Sequence, residues 1–184
     1  KYKLDIHNYF FAKSIDKVRN GGLICFITAT STMQGSGDNA RIRELLKTKA
    51  DLVGAVRLPT GTFKGNAGTN VDADLIILQK REPNTEPSKF SKEWLNLIDG
   101  EAEGRYGVRN VKFNEYYKNN AEMVIGEWKI GDGYYDMLVA DGKGLDVAKE
   151  LEARIELLPK NIYKPLTGKR NLNSIESAKA TFLA

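Results

Sequence analysis

Three short apolar runs limit what this chain can fold into: residues 23–28 (Leu-Ile-Cys-Phe-Ile-Thr), 52–58 (Leu-Val-Gly-Ala-Val-Arg-Leu) and 75–78 (Leu-Ile-Ile-Leu). Each has the length of a strand, is rich in Ile, Val and Leu, and is bounded by turn residues. Unbroken runs of this kind predict strands buried on both faces, because a half-exposed strand alternates polar with apolar. Between the first two runs the spacing predicts a helix over residues 40–48. Ile42, Leu45 and Leu46 face inward, Arg41, Arg43, Lys47 and Lys49 outward, and Asp38 or Asn39 is the expected N-cap. Strand, helix, strand is βαβ material, which requires a parallel sheet and a right-handed crossover. The third run follows the polar loop 59–71 with no helix between, so it is expected to return antiparallel. The fold class read from this pattern is α/β.

Upstream, residues 4–19 predict an amphipathic helix with Leu4, Ile6, Tyr9, Phe10, Ala12, Ile15 and Val18 on its apolar side. Asn20-Gly21-Gly22 is a left-handed stop for it. Cys25 is the one cysteine and His7 the one histidine. Cys25 reads as a small buried hydrophobe in a reducing, cytoplasmic setting, and neither residue offers a disulfide framework or a metal site. No run approaches the ~18 apolar residues of a membrane span. The net charge of +4 permits nucleic acid as a partner without demanding it.

The second half changes character. Residues 81–91 hold two prolines and little apolar content, and read as a linker or surface excursion. Short helices are expected over 92–98 and 110–119, with a charged loop over 100–107 between them. Residues 123–126 with Trp128 form an apolar patch. Residues 134–139 read as a strand, ended by the Asp141-Gly142 turn signal. The strongest helical period lies over 145–158, where Leu145, Ala148, Leu151, Ile155 and Leu158 recur and Pro159 stops the helix. A further helix is possible over 174–183. The expected division is a first part at 1–82 and a small α+β appendage at 83–184.

Residues in the first part carry a resemblance. Asn8-Tyr9-Phe10, Gly21-Gly22, Phe26-Ile27-Thr28, Arg57-Leu58-Pro59, Phe63-Lys64, Asn66-Ala67-Gly68-Thr69 and Leu78-Gln79-Lys80-Arg81 stand in this order and spacing. The stretch resembles the later motifs of adenine-specific N6 DNA methyltransferases. The nearest type is the one found in large methylase–helicase fusion proteins of phages and mobile elements. Residues 122–126, Leu157-Leu158-Pro159 and Ile162-Tyr163 also resemble segments that follow the methylase core in that group.

The resemblance implies a partial Rossmann-like methyltransferase sheet with one antiparallel strand. It implies methyl transfer from S-adenosylmethionine to adenine N6, as in restriction-modification, on a base taken out of double-stranded DNA. It also implies that 1–82 is the C-terminal portion of the domain. The family's Asn/Asp-Pro-Pro-Tyr/Phe catalytic motif is missing, since the chain has no Pro-Pro, and so is the glycine-rich cofactor turn. Both would lie before Lys1. The chain, which starts on Lys rather than Met, is therefore expected to be a fragment with neither catalytic nor cofactor-binding residues. It would be inactive alone, with the upstream half of the domain, double-stranded DNA and a helicase domain of the same polypeptide as partners. The alternative is a non-catalytic DNA-binding or scaffolding module of a helicase-type fusion, and an unrelated α/β domain is the third reading.

Candidate site residues follow from the loop 59–71. In the resembled family an aromatic here stacks on the extruded adenine, and Phe63 occupies that place; the plain alternative is a loop anchor packed on the sheet. Lys64, Asn66 and Thr69 would contact DNA phosphate or the target base, against ordinary turn chemistry. Gly61, Gly65 and Gly68 would let backbone N–H groups turn outward. Arg57, at a strand end, is a DNA-contact candidate, with pairing to Asp51 or Asp72 as the equal alternative. Arg41 and Arg43 are candidates for the DNA backbone, against a solvated face. Thr30, Ser31 and Thr32 would line the cleft or merely lead into the next helix.

Overall fold

The computed structural model describes residues 4–131 and 138–163. Its helices are α1 (Ile6–Lys17), α2 (Ser31–Gln34), α3 (Asp38–Lys49), α4 (Lys64–Ala67), α5 (Lys89–Glu93), α6 (Glu115–Asn119) and α7 (Val147–Leu157), with a 3-10 turn at Ala121–Met123. Its strands are β1 (Leu23–Ala29), β2 (Ala50–Arg57), β3 (Ala73–Lys80), β4 (Leu97–Gly104), β5 (Gly107–Asn114), β6 (Glu127–Ile130) and β7 (Leu138–Asp141). The fold is mixed α/β with two sheets.

The first sheet has the order β1-β3-β2, and β3 runs antiparallel to both neighbours. β1 and β2 therefore point the same way, with the returning strand inserted between them. The expected antiparallel direction of the third strand holds. β2 and β3 are buried almost throughout. β1 is not buried on both faces as expected. Its Ile24 is buried, while Leu23, Cys25 and Ile27 are exposed. Only one side of β1 is paired among the described strands, so it behaves as an edge strand with one covered face. Cys25 is accordingly exposed rather than a core residue.

The helices adjust two more expectations. α1 buries Asn8, Phe11 and Ile15, and leaves Ile6, Tyr9 and Phe10 on the surface. The buried stripe is rotated from the predicted one because Asn8 is held inside by hydrogen bonds. Its Nδ2 donates to Asn39 Oδ1 at 2.6 Å, and its Oδ1 accepts from Thr32 Oγ1 at 3.2 Å. Gly21 has φ +69°, which is the predicted left-handed stop. α3 starts at Asp38 after Gly37, so neither Asp38 nor Asn39 is its cap. It buries Ile42, Leu46 and also Arg43.

The second sheet has the order β5-β4-β6-β7, antiparallel except for the β4–β6 pair. Here the expectations over 92–119 hold only for the end of the last helix, residues 115–119, which form α6. The helix expected over 92–98 lies instead at Lys89–Glu93, and the loop over 100–107 and the start of the helix over 110–119 form one β-hairpin. Its inward positions are held by small residues that give no apolar signal. A side chain on Gly100 would meet Phe113 Cε2 at 2.7 Å, so the ring fills that place. α7 falls within the predicted 145–158 and is capped by Asp146, whose carboxylate accepts from the N–H groups of Ala148 and Lys149. Residues 134–137 of the expected strand, with Tyr134 and Tyr135, and the possible helix at 174–183 lie outside the described residues.

One apolar cluster holds the two sheets together. It combines Phe11, Ile15, Leu52, Val56, Ile76 and Leu78 with Trp94, Tyr116, Tyr117 and Ile125. Two backbone N–H groups of β2 are taken by side chains from later segments. Leu52 N–H donates to Ser91 Oγ at 2.7 Å, and Ala55 N–H donates to the Tyr116 hydroxyl at 3.1 Å. Burial pushes the Tyr116 phenol up to about 12, and the Tyr117 phenol well above its ordinary range. An unfolded tyrosine ionises near ~10. Between about pH 10 and pH 12 the unfolded chain thus binds fewer protons, and stability falls as pH rises. Denaturant midpoints measured at pH 9, 10.5 and 11.5 should decline, and Tyr116→Phe should flatten that decline. An unchanged decline in the variant would show that the phenol is not protected.

Candidate functional site

The carboxyl ends of β1 and β2 lie at one edge of the first sheet, with the amino end of β3 between them. In register, Ala29 faces Ala73 and Arg57 faces Asp74. Segments that leave this edge are neighbours for that reason. Thr30 N–H donates to Asp72 O at 3.2 Å, and Leu58 N–H to Ala73 O at 3.0 Å. Open α/β sheets bind their ligands beyond such strand ends.

The loop from Leu58 to Asp72 is closed at its neck. Thr60 Oγ1 donates to Asp72 Oδ1 at 2.6 Å, and Thr60 N–H to Ala140 O at 2.9 Å. Thr62 Oγ1 donates to Pro59 O at 2.6 Å. Gly61 and Gly68 have φ of +82° and +63°, with open space where a side chain would stand, so backbone conformation alone calls for glycine there. Between them, α4 carries Lys64 and Asn66 on the exposed surface. Phe63 precedes α4, half-buried, and packs against the main apolar cluster. Thr69 Oγ1 accepts from Val71 N–H at 3.3 Å. The fold thus places Phe63, Lys64, Asn66 and Thr69 on one loop at one sheet edge.

Arg57 does not reach that surface. Its side chain is fully buried, and its pairing partner is neither Asp51 nor Asp72 but Asp74. Arg57 Nε donates to Asp74 Oδ1 at 2.6 Å and Nη2 to Oδ2 at 3.2 Å. The Tyr117 hydroxyl donates to the same carboxylate at 2.7 Å. The guanidinium carbon lies 5.2 Å from the Tyr117 ring centre and 5.0 Å from that of Trp128. Burial raises the Asp74 carboxyl above its ordinary value, against the opposing pull of Arg57. The arrangement is a buried clamp between the first sheet and later residues, not a surface contact. Asp51 instead pairs with Arg81 at 3.2 Å.

Arg43 also corrects its outward assignment. It is buried, and its Nη1 donates to Thr32 O at 2.9 Å and Gly35 O at 2.8 Å. Burial lowers its guanidinium to about 10. The reason is local: the segment after β1 turns its carbonyls inward, and Arg43 satisfies them. Arg41 stays on the surface, paired with Asp38 at 2.8 Å.

Sequence reasoning missed the supports around residues 30–34. Asn8, Thr32, Asn39 and Arg43 fix this segment from one side. Asn114 fixes it from the other, donating to Met33 O at 2.7 Å and to Trp94 O at 2.8 Å. The Ser31 hydroxyl and His7 Nε2 lie 3.1 Å apart. These residues are polar and isolated in sequence, and only the tertiary fold brings them together. The result is a cleft of about 450 Å³ lined by Thr30, Ser31, Gln34, Asn110, Lys112 and Leu138. Thr30 and Ser31 line it and also open α2, so both alternatives stand, while Thr32 is buried beneath.

A family model described as N-6 DNA methylase matches residues 3–136, which is most of the chain. The chain belongs to the N-6 DNA methylase family. Over 76 residues this N-6 DNA methylase chain is 41% identical to the "Defense against restriction protein B" of Escherichia phage P1. That match takes in 41% of this chain and 3% of the phage protein. A solved chain from work on complex assembly and conformational transition of the type I R-M system covers 99% of this chain and 41% of its own length. The two are 16% identical, with a TM-score of 0.38. The N-6 DNA methylase chain thus spans a small part of the curated relative and less than half of the solved one.

Proposed function

We propose that this chain supplies the target-base side of the cleft of a DNA adenine N6-methyltransferase that uses S-adenosylmethionine. The observation that carries the reading is the placement of the 58–72 loop and residues 30–34 at one sheet edge within a chain of the N-6 DNA methylase family. The order β1-β3-β2 supports a partial Rossmann-like sheet, since two parallel strands flanking one antiparallel strand is what the family resemblance implies. In this reading Phe63 holds the extruded adenine, Lys64 and Asn66 contact phosphate or base edge, Thr69 shapes the loop, and Arg41 adds a peripheral phosphate contact. Arg57 and Arg43 hold the scaffold from inside.

The residues at this edge do not fit S-adenosylmethionine as a holder. Of the carboxylates here that could take a ribose hydroxyl, Asp72 is bonded to Thr60 and Asp74 to Arg57. Cofactor binding and methyl transfer therefore belong, in this proposal, to an upstream half of the domain. The side of β1 left unpaired among the described strands fits such a partner. Leu23 and Ile27 are exposed there, and a groove of about 220 Å³ is lined by Phe10, Phe11, Phe26, Ile27 and Thr28 together with His7. Thr28 Oγ1 is buried in the described structure without a hydrogen-bond partner. Residues 1–82 are then the C-terminal portion of the methyltransferase domain and 83–184 its appendage. A non-catalytic DNA-binding or scaffolding module of a helicase-type fusion is the second reading; an Asn/Asp-Pro-Pro-Tyr/Phe motif before Lys1 in the parent protein decides for the enzyme, and its absence there for the module.

The test is binding of duplex DNA with one unpaired adenine. Affinity should fall steeply between 50 and 200 mM salt. Phe63→Ala should weaken binding by about five- to one-hundred-fold, the worth of one stacked base. Affinity that ignores salt, or a Phe63→Ala variant that binds unchanged, would overturn the reading.

A further inference from the structure

Residues 61–69 carry the candidate base contacts but do not hold their own place. Among the described residues, their hydrogen bonds stay within the 58–72 loop. Lys64 N–H donates to Gly61 O at 3.0 Å, Ala67 N–H to Phe63 O at 2.8 Å and Gly68 N–H to Lys64 O at 3.1 Å. The tip is therefore a self-bonded turn hung between Gly61 and Gly68, both at positive φ. Apart from the packing of Phe63 on the apolar cluster, its pose is set where the loop joins the sheet.

That junction is held from both sides. On the sheet side, Thr60 Oγ1 donates to Asp72 Oδ1 at 2.6 Å and closes the two arms of the loop on each other. Asp72 O accepts Thr30 N–H at 3.2 Å, so the same residue joins the loop to the other wall of the cleft. On the outer side, the arm that leaves β2 runs along the second half of the chain. Arg57 bridges to Val124, Ile125 N–H donates to Arg57 O at 3.0 Å, and Thr60 N–H donates to Ala140 O at 2.9 Å. The Pro59 ring lies on Gly142, where a side chain would stand 2.5 Å from Pro59 Cβ and 2.7 Å from Cγ. The Thr60–Asp72 bond is itself exposed to solvent, so its removal is separable from unfolding.

We propose that Thr60 and Asp72, seated on the end of β7, are positioning residues for the target base: they fix the pose of Phe63 and act through its ring rather than on the base. Stacking requires the ring to lie along the face of the base, and misplacing a positioned group by about 1 Å can cost about one-hundred-fold. A tip held only by its own bonds would sample many ring orientations. The neck removes them before the base arrives, which leaves less ordering to be done on binding. The appendage then takes part in holding the base, because Ala140 and Gly142 belong to it. The proposal rests on the reading of Phe63 as the ring that holds the extruded adenine.

The test uses the full 184-residue chain and two labelled DNAs: a duplex with one unpaired adenine, and the same duplex fully paired. Thr60→Val keeps the shape of the side chain and loses the bond to Asp72. It should weaken binding of the unpaired-adenine duplex by about two- to tenfold, the worth of one hydrogen bond, and leave the paired duplex within about twofold. Thr60→Ser, which keeps the hydroxyl, should bind as the unchanged chain does. On a Phe63→Ala background, Thr60→Val should change nothing further, since a residue that acts through the ring has no effect once the ring is gone. Amide exchange at Thr60, whose N–H is bonded to Ala140 O, should be slower than at Gly61 and Phe63. Full binding by Thr60→Val overturns the proposal, as does an equal loss on both DNAs or a loss that adds to that of Phe63→Ala. A Thr60 amide that exchanges as fast as that of Gly61 overturns the seat on β7. If Phe63→Ala weakens binding while Thr60→Val does not, the neck inference falls and the proposed function stands. If Phe63→Ala binds unchanged, both fall.

Discussion

Asp74→Asn should destabilise the chain by about 3–5 kcal/mol, measured as a lower denaturant midpoint at unchanged slope. The carboxamide has nearly the shape of the carboxylate, so the loss is one of charge. Asp74 is fully buried and receives the Arg57 guanidinium through two bonds and the Tyr117 hydroxyl through a third. Without the negative charge, Arg57 is left as a buried cation whose remaining supports are Leu138 O at 3.3 Å and the rings of Tyr117 and Trp128. Replacing both members, Arg57→Met with Asp74→Leu, should recover most of the loss, since an apolar pair of similar volume has no charge to desolvate. A double variant no better than Asp74→Asn alone would contradict this account of the clamp. Tyr117 and Trp128 belong to the later segments, so the clamp also ties these segments to the first sheet. Its loss should raise hydrogen exchange on both sides together.

Gly126→Ala should cost on the order of 3 kcal/mol, enough to shift the melting temperature by several degrees. Two causes coincide at this residue. Its φ is +101°, a conformation that a side chain disfavours, and an added Cβ would lie 2.2 Å from Asp141 O and 2.9 Å from Gly142 N. These are backbone atoms of the end of β7 and the turn after it, where Glu127 pairs with Asp141, so the clash has no flexible side chain to move. By contrast, Gly54→Ala meets Leu158 Cδ2, a side-chain end that can rotate. Gly126→Ala should therefore be the worse of the two in thermal unfolding. The reverse order would show that the backbone at Asp141 and Gly142 yields more easily than its geometry implies.

The parts of the fold that were legible from sequence are those where burial is written in apolar side chains. The runs at 52–58 and 75–78 became β2 and β3, and the antiparallel return holds because the one helix between them, the four-residue α4, is too short for a parallel crossover. The position of the 58–72 loop followed, because loops that leave strand ends share an edge. Illegible regions had burial carried by other residue types. The β4–β5 hairpin is packed through Gly100, Ala102 and Gly104, with the charged Asp99, Glu101 and Glu103 between them, so its period-2 pattern carries little apolar signal. α1 was rotated in the sequence reading because Asn8 is an inward residue held by Asn39 and Thr32, while Tyr9 and Phe10 stay outside. Arg43 and Arg57 read as surface charges until the register supplied their buried partners. Asp74 in particular was hidden inside the third run, and only the pairing Arg57↔Asp74 reveals it.

The central claim is that this chain holds the target base while an upstream half binds the cofactor and moves the methyl group. Transfer of labelled methyl groups from S-adenosylmethionine to DNA adenine tests it most directly, measured for the chain alone and for the chain joined to the residues that precede it in its parent protein. The account predicts no transfer and no micromolar cofactor binding by the chain alone. It predicts N6-methyladenine from the joined protein, lowered by about ten- to one-hundred-fold on Phe63→Ala. Methyl transfer by the chain alone, or a joined enzyme indifferent to Phe63, would contradict it.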